Sequence, residues 1–280
     1  MSGGWRFALS RRWVGYLALT VVFAVACALL GNWQWSRNEQ RLAEIELVER
    51  NYDAPPVDLA DALADPAAFD EDEEWQPVLL RGRYLTEEQV VVRNRPRSGS
   101  PGFEVLVPFR TDDGEVFVVD RGWVPVSGDD QNQPDAVPEA PTGDVEVVAR
   151  LKPGEPEIAG RSAPDGQLAT IHLPAFADRI PGEVYTGAYG LLVSEDPAPV
   201  ERPLPNFKPE PDPGPHLSYT FQWFIFGLLA FIGLGWAVRQ EYRARNADDP
   251  DEQRRAAERE RRRSTKVDDA DVEDALLDRR

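Results

Sequence analysis

Residues 217–238 form a run without a single charged side chain, LSYTFQWFIFGLLAFIGLGWAV, and this run limits what the chain can fold into. An α-helix rises about 1.5 Å per residue, so about 20 apolar residues cross the roughly 30 Å hydrocarbon core of a bilayer. We therefore predict a transmembrane helix over 216–238. A second apolar run predicts another over 13–32. The expected protein has two transmembrane helices that flank a water-soluble domain over 33–215.

Arginines beside the two runs predict how the chain is oriented. Arg11 and Arg12 precede the first run, and Arg239, Arg243 and Arg245 follow the second. Under the positive-inside rule, the N-terminus (1–12) and the charged tail (239–280) are cytoplasmic, and the central domain is exoplasmic. We expect a multi-pass protein of the cell membrane with an uncleaved N-terminal anchor.

Composition excludes several functional classes. Residues 37–215 hold 16 basic and 36 acidic side chains, which argues against nucleic acid as a partner. Cys27 is the only cysteine and Met1 the only methionine, so an intrachain disulfide, a CxxC site and a methionine-rich metal site are excluded. The sequence has no phosphate loop, dinucleotide glycine pattern or HExxH motif. We predict a protein that is not an enzyme and has no catalytic residues.

Between the two apolar runs the hydrophobic pattern is mainly that of short strands. Alternating apolar segments separated by Gly, Pro and Asp predict a mainly antiparallel β domain, closed into a small barrel or a sandwich. The predicted strands are 78–85, 89–93, 103–109, 115–120, 145–151, 168–173 and 184–194. Short helices are predicted at 37–51, 58–64 and 173–180. Six prolines within 202–215 predict an extended strap that returns the chain to the membrane.

His216 is one of two histidines and begins the second apolar run. On a helix, His216, Tyr219, Thr220 and Trp223 share one stripe. An imidazole at the membrane surface can ligate a haem iron axially, or it can be an interfacial polar residue in the aromatic belt. The belt is also the simplest interpretation of Trp33 and Trp35.

The run Arg121-Gly122-Trp123 ends a predicted strand and has two interpretations. In one, the tryptophan is buried in the barrel and Arg121 forms a local ion pair. In the other, the run is a binding edge for an anionic group such as a haem propionate.

Four short motifs in this order resemble those of one known family, the Surfeit locus proteins, which are cytochrome oxidase assembly factors, and the chain looks like a bacterial member. The motifs are Gly31-Asn32-Trp33-Gln34 with Arg37 and Arg41, Arg93-Asn94-Arg95-Pro96 with Gly102-Phe103, Val119-Asp120-Arg121-Gly122-Trp123-Val124-Pro125, and His216 with Tyr219 and Trp223. Asp120 stands where the family usually has Asn, a change we expect on the solvent side.

The resemblance implies a chaperone-like role in the respiratory chain, namely assistance to haem a delivery to, or insertion into, subunit I of haem–copper cytochrome c oxidase. Subunit I, other oxidase assembly or haem a synthesis proteins, and membrane lipid are the implied partners. His216 is the implied haem-iron ligand. Other candidate haem contacts are Trp33, Gln34, Arg37, Arg121, Gly122, Trp123, Tyr219 and Trp223. The alternative is a cofactor-free membrane scaffold that stabilises a subunit I assembly intermediate.

Overall fold

The computed structural model describes residues 5–264, and it divides into two compact units. The helical unit contains residues 5–40 and 213–264, and the barrel unit is Arg41–Asp212. Residues 265–280 of the predicted cytoplasmic tail lie outside the described residues.

The helical unit is built from long helices. Helix α1 is Arg11–Asn51, of which the part up to Gln40 belongs to this unit, and α4 is His216–Arg245. Both are long and apolar enough to cross a membrane. In the most apolar 18-residue stretch of each helix, only 11% of α1 and 6% of α4 is buried. The core helix of a soluble protein is, by contrast, mostly buried. A 3-10 turn at Trp5–Leu9 precedes α1, and α5 (Pro250–Ser264) follows α4.

Small residues bring α1 and α4 into close contact. A Cβ atom on Gly31 would lie 3.1 Å from the Phe224 ring, and one on Gly227 would lie 3.6 Å from the Cβ of Cys27. Cys27 is 1% exposed, so its side chain faces the neighbouring helix. Such small-residue contacts are a common way for membrane helices to associate. Towards the other end of the pair, Arg12 forms a 2.9 Å ion pair with Glu241.

The barrel unit contains eight strands and two short helices. The strands are β1 (Val57–Asp58), β2 (Pro77–Tyr84), β3 (Val90–Val92), β4 (Gly102–Thr111), β5 (Val116–Pro125), β6 (Val145–Pro153), β7 (Gln167–Leu168) and β8 (Ala188–Asp196). The helices are α2 (Leu59–Ala62) and α3 (Pro174–Ala177). Single-turn 3-10 helices lie at Glu71–Glu73 and Thr86–Glu88.

Five strands close into a barrel. Their order is β2-β6-β8-β5-β4, and β4 pairs back onto β2. All of these pairs are antiparallel except β5 with β8, which is parallel. The order is that of a Greek-key barrel, in which full pairing removes free sheet edges. The predicted membrane protein with two flanking helices and a mainly antiparallel barrel is confirmed.

Strands β4 and β5 are buried on both faces. One set of side chains fills the barrel, including Val105, Val107, Phe109, Phe117 and Val119. The alternate set, including Leu106, Val116 and Val118, packs outside it in one cluster with Ile171 and with Phe176 of α3. Full burial of one such side chain contributes about 1.5–3 kcal/mol, so β4 and β5 are the best-anchored strands of the unit.

The predicted strand at 168–173 is much shorter in the structure. Only Gln167 and Leu168 pair, in parallel with Val91 and Val92 of β3. Beyond Val92 the partner strand ends, and Asn94 adopts a left-handed φ of 60°. Ile171 and Leu173 are fully buried in the outer cluster. The alternating apolar residues of this segment are therefore buried side chains, although the segment does not pair as a strand.

Candidate functional site

His216 is the first residue of α4, and its imidazole contacts α1 directly. The Nδ1 atom of His216 lies 2.8 Å from the amide oxygen of Gln34. Both residues belong to the helical unit, and both are half-buried. The first turn of α4 is held by its own polar side chains, since Ser218 donates to the carbonyl of Pro215 and Thr220 to that of His216. The local structure therefore holds the histidine backbone in a fixed position.

The contact with Gln34 selects one tautomer of the imidazole. An amide oxygen accepts hydrogen bonds only, so Nδ1 is the donor in this contact, and in the neutral imidazole Nε2 then carries the lone pair. This is the arrangement that orients metal-bound histidines in general, with one ring nitrogen held by an acceptor and the other free to ligate.

Gly214 lies beside the Nε2 atom of His216. It has a left-handed φ of 68°, which favours glycine, and a Cβ atom there would lie 3.6 Å from Nε2 of His216, in ordinary van der Waals contact. The chemistry of the imidazole nitrogen fits a haem-iron ligand.

Other predicted site residues of the helical unit surround this pair less closely. Trp33 is 56% and Tyr219 45% exposed, as expected for aromatic side chains at a membrane interface. Trp223 is half-buried and meets Phe226 edge-on. Arg37 is exposed and donates to Gln40. Within the described residues, Gln34 is the member of the predicted set that hydrogen-bonds to the His216 ring.

Arg121 lies inside the barrel. Its side chain is 0% exposed and pairs with Glu195 of β8 through two hydrogen bonds, of 2.8 and 3.3 Å. A third hydrogen bond goes to the carbonyl of Pro138, and Tyr84 also donates to Glu195. Burial, with the Glu195 carboxylate next in importance, raises the pKa of Tyr84 well above its usual value. The Arg121–Glu195 pair agrees with the first interpretation of the Arg121-Gly122-Trp123 run, in which Arg121 forms an ion pair.

Gly122 and Trp123 form a platform for the proline strap. The backbone of Trp123 exchanges two 2.8 Å hydrogen bonds with that of Leu204 in the strap. Gly122 has a φ of 125°, and a Cβ atom there would lie 2.4 Å from the Leu204 carbonyl oxygen. The indole of Trp123 donates to the carbonyl of Arg95 and covers Gly102. Only glycine at 122 lets the strap approach this closely.

Asp120 is buried, so the expectation that it faces solvent is wrong. It is 0% exposed and accepts hydrogen bonds from the backbone of Gly122 and from Asn206 of the strap. The strap covers the outer face of β5 here, which alternation along the strand did not reveal. Burial raises the pKa of Asp120 to about 6, although both hydrogen bonds lower it.

Glu104 on the neighbouring strand is half-buried and lies close to Asp120. Burial, followed by the charge of Asp120, raises the pKa of Glu104 to about 7, while Arg95 opposes the rise. Sequence reasoning missed Glu104 and Glu195, because nothing in the local pattern distinguishes them from the many exposed carboxylates of this domain.

With the geometry in place, similarity to known proteins identifies the family. The model of the SURF1 family matches residues 21–228, about three quarters of the chain. The chain belongs to the SURF1 family. This is the family of Surfeit locus proteins that the four motifs resemble, and the matched range includes both residues of the His216–Gln34 pair. The predicted family is confirmed.

Individual SURF1 relatives extend this assignment. The chain is 34% identical over 248 residues to an uncharacterized SURF1-like protein of Mycobacterium bovis, covering 86% of this chain and 89% of the relative. It is 29% identical over 109 residues to the cytochrome oxidase assembly protein SHY1 of Saccharomyces cerevisiae, covering 39% of this chain and 28% of SHY1. A SURF1-like protein of Rickettsia bellii is 26% identical over 108 residues, covering 38% of this chain and 42% of the relative.

Proposed function

We propose that this protein is a membrane-anchored assembly factor for haem–copper cytochrome c oxidase. Membership of the SURF1 family supports the proposal, as does the similarity to yeast SHY1, which is named for oxidase assembly. The role is non-catalytic. In this proposal the protein acts at the cell membrane, with both termini cytoplasmic, as the flanking arginines predict.

The finer proposal is that the protein holds haem a on its way into subunit I. One observation carries it: the 2.8 Å contact between Nδ1 of His216 and the amide oxygen of Gln34, which engages Nδ1 and leaves Nε2 as the ring nitrogen available to a metal. Haem iron accepts an imidazole nitrogen as an axial ligand. His216 would supply that ligand, and Gln34 would fix the ring orientation and tautomer. Trp33, Tyr219 and Trp223 are the aromatic side chains that the helical unit offers for stacking or packing against a porphyrin.

A second candidate function is a cofactor-free scaffold that stabilises a subunit I assembly intermediate. A specific observation favours it. Arg121 and Trp123, two of the predicted haem contacts, are engaged in the barrel by Glu195, Arg95 and Leu204. The Arg121-Gly122-Trp123 run therefore has a sufficient structural explanation without a ligand.

A deletion strain tests the proposed assembly role and separates the two candidates. Loss of the gene should lower oxidase activity and the haem a absorbance of the membranes, and the wild-type gene should restore both. Unchanged oxidase in the deletion strain would contradict the assembly role. The His216→Ala gene should fail to restore haem a absorbance if the protein carries haem. Full restoration by His216→Ala, with subunit I still co-purifying, would favour the scaffold.

A further inference from the structure

Six arginines of the acidic barrel unit have no carboxylate partner in the part of the chain that the structure describes, and three of them lie close together around one loop. These three are Arg93, Arg97 and Arg161. Arg93 reaches only the Asn132 amide oxygen, at 3.4 Å, and its buried Nε atom has no hydrogen-bond partner among the described residues. The guanidinium of Arg97 lies 3.8 Å above the ring of Phe207. The other three, Arg83, Arg110 and Arg202, line neither of the cavities described below.

Arg93, Arg97 and Arg161 line two adjoining cavities. One has a volume of about 280 Å³ and is lined by Arg93, Arg95 and Arg161 together with Ile158. The other has a volume of about 320 Å³ and is lined by Arg95 and Arg97 together with Phe207. Asn94 and Arg95 line both cavities, so the two are neighbours.

Arg95 lies between the cavities and shares its charge with two carboxylates. It makes ion pairs of 2.9 Å with Glu104 and 2.6 Å with Glu155, the carboxylates that line the two cavities. These three groups together carry one negative charge, and Arg93, Arg97 and Arg161 add three positive charges. The linings of the two cavities therefore carry a net charge of +2, within a domain whose charge is otherwise negative.

The loop that carries two of these arginines is held by hydrogen bonds. Asn94 and Ser98 have positive φ values of 60° and 49°. The indole of Trp123 fixes the loop through the Arg95 carbonyl, and a pair of backbone hydrogen bonds joins Arg97 to Ser100. Ser98 and Gly99, with φ values of 49° and 84°, are the two central residues of the turn that this pair closes. These contacts hold Arg95 and Arg97 in place beside the cavities.

We propose that the two cavities bind an acidic, extended segment of a partner protein, with its carboxylates on Arg93, Arg97 and Arg161. Guanidinium groups pair with carboxylates through two parallel hydrogen bonds, which gives geometric specificity. Two adjoining cavities fit a segment that presents successive side chains, whereas a single phosphate or lipid headgroup would fill one. Ile158 and Phe207, which are 39% and 61% exposed, offer apolar contact to the same segment.

Peptide binding to the full-length protein in a neutral detergent tests this site. The probe is a fluorescein-labelled peptide of alternating Glu and Ala, measured by fluorescence anisotropy, with the Lys and Ala equivalent as the reference of opposite charge. We expect the acidic peptide to bind and the basic one not to bind. Each of Arg93→Gln, Arg97→Gln and Arg161→Gln should weaken binding by about three- to tenfold, as expected for loss of one charge-assisted pair.

Two other arginines provide matched controls. Arg83 and Arg202 are exposed, have no carboxylate partner among the described residues, and line neither cavity. Arg83→Gln and Arg202→Gln remove the same charge and should leave the affinity unchanged. Equal weakening by the control variants would overturn the proposal, because it would show attraction to net charge alone.

Competition experiments distinguish other sources of anions. Inorganic phosphate that competes as well as the acidic peptide would overturn the extended-segment proposal, because one small anion would then suffice. Vesicles of phosphatidylcholine with and without phosphatidylglycerol test a lipid headgroup. A different result would be binding to the anionic vesicles but not to the peptide, with vesicle binding lost in the three cavity variants. That result would assign the site to lipid and overturn the proposal. None of these outcomes depends on whether the protein carries haem.

Discussion

Arg121 and Glu195 form an ion pair inside the barrel, with side-chain exposures of 0% and 2% and a shortest distance of 2.8 Å. The pair joins β5 to β8, the only parallel contact among the five barrel strands. Charges this deep are stable only while each keeps its partner, because desolvation of a lone charge is costly.

We predict that Arg121→Met lowers the free energy of unfolding by about 3–5 kcal/mol, because it leaves Glu195 buried and uncompensated. Denaturant unfolding of the detergent-solubilised protein measures this. Arg81→Met is the control, since Arg81 pairs with Asp58 and Glu146 at the surface, and its loss should cost less than about 1 kcal/mol. The double variant Arg121→Met with Glu195→Met should recover much of the stability. Equal losses for Arg121→Met and Arg81→Met would contradict the structural role.

Gly122→Ala should detach the proline strap from β5. The added Cβ would meet the Leu204 carbonyl oxygen at 2.4 Å, and the φ of 125° disfavours alanine. Chymotrypsin cleavage after Phe207, followed by mass spectrometry, should then accelerate several-fold. Gly128→Ala is the matched control, because nothing lies within 4 Å of its Cβ position. Cleavage no faster than in the Gly128→Ala protein would show that the strap does not depend on Gly122.

The carboxyls of buried Asp120 and half-buried Glu104 predict a pH dependence of stability. Their pKa values are raised to about 6 and about 7, so between about pH 4 and pH 7 the folded protein binds more protons than the unfolded chain. Stability therefore decreases as the pH rises through this window. Asp120→Asn removes one of the two groups and should raise stability by about 2 kcal/mol at about pH 8, and by less at about pH 5.

Thermal unfolding at both pH values checks this prediction, with Asp129→Asn in an exposed loop as the control. A gain for Asp120→Asn that is the same at both pH values would show that titration of Asp120 is not the cause.

Gln34 variants test how the candidate haem ligand is oriented. Gln34→Glu keeps an oxygen acceptor at Nδ1 of His216 and should retain bound haem. Gln34→Leu removes the acceptor, so the ring loses both its orientation and its tautomer preference. We expect a loss of about 10- to 100-fold in haem affinity, as for other residues that hold a metal-binding histidine in position. Titration of the purified variants with haem measures it. Equal haem affinity for Gln34→Leu and the parent would show that Gln34 does not act through His216.

The sequence predicted most of the architecture because the periodicities are local. An uncharged run long enough for a bilayer and strands of period two need no knowledge of distant residues. Arg121 was assigned a local ion pair as one interpretation, but its partner Glu195 lies 74 residues away on a strand that meets β5 only in the closed barrel. Asp120 was misplaced for a related reason, since the strap that buries it arrives from 86 residues further along the chain.

The candidate haem site shows the same limit. Motif resemblance selected both His216 and Gln34, but only helix packing shows that they touch across 182 residues of sequence. The tautomer of the imidazole follows from that contact and from no local pattern.

The visible spectrum of the protein, purified from cells that make haem a, tests the central claim most directly. The parent should show a haem a band, and His216→Ala should lose it while keeping its fold by circular dichroism. Tyr219→Phe, which keeps the exposed ring in the same turn, should retain the band. A band of equal intensity in His216→Ala, or no band in the parent, would contradict the assignment of His216 as the haem ligand.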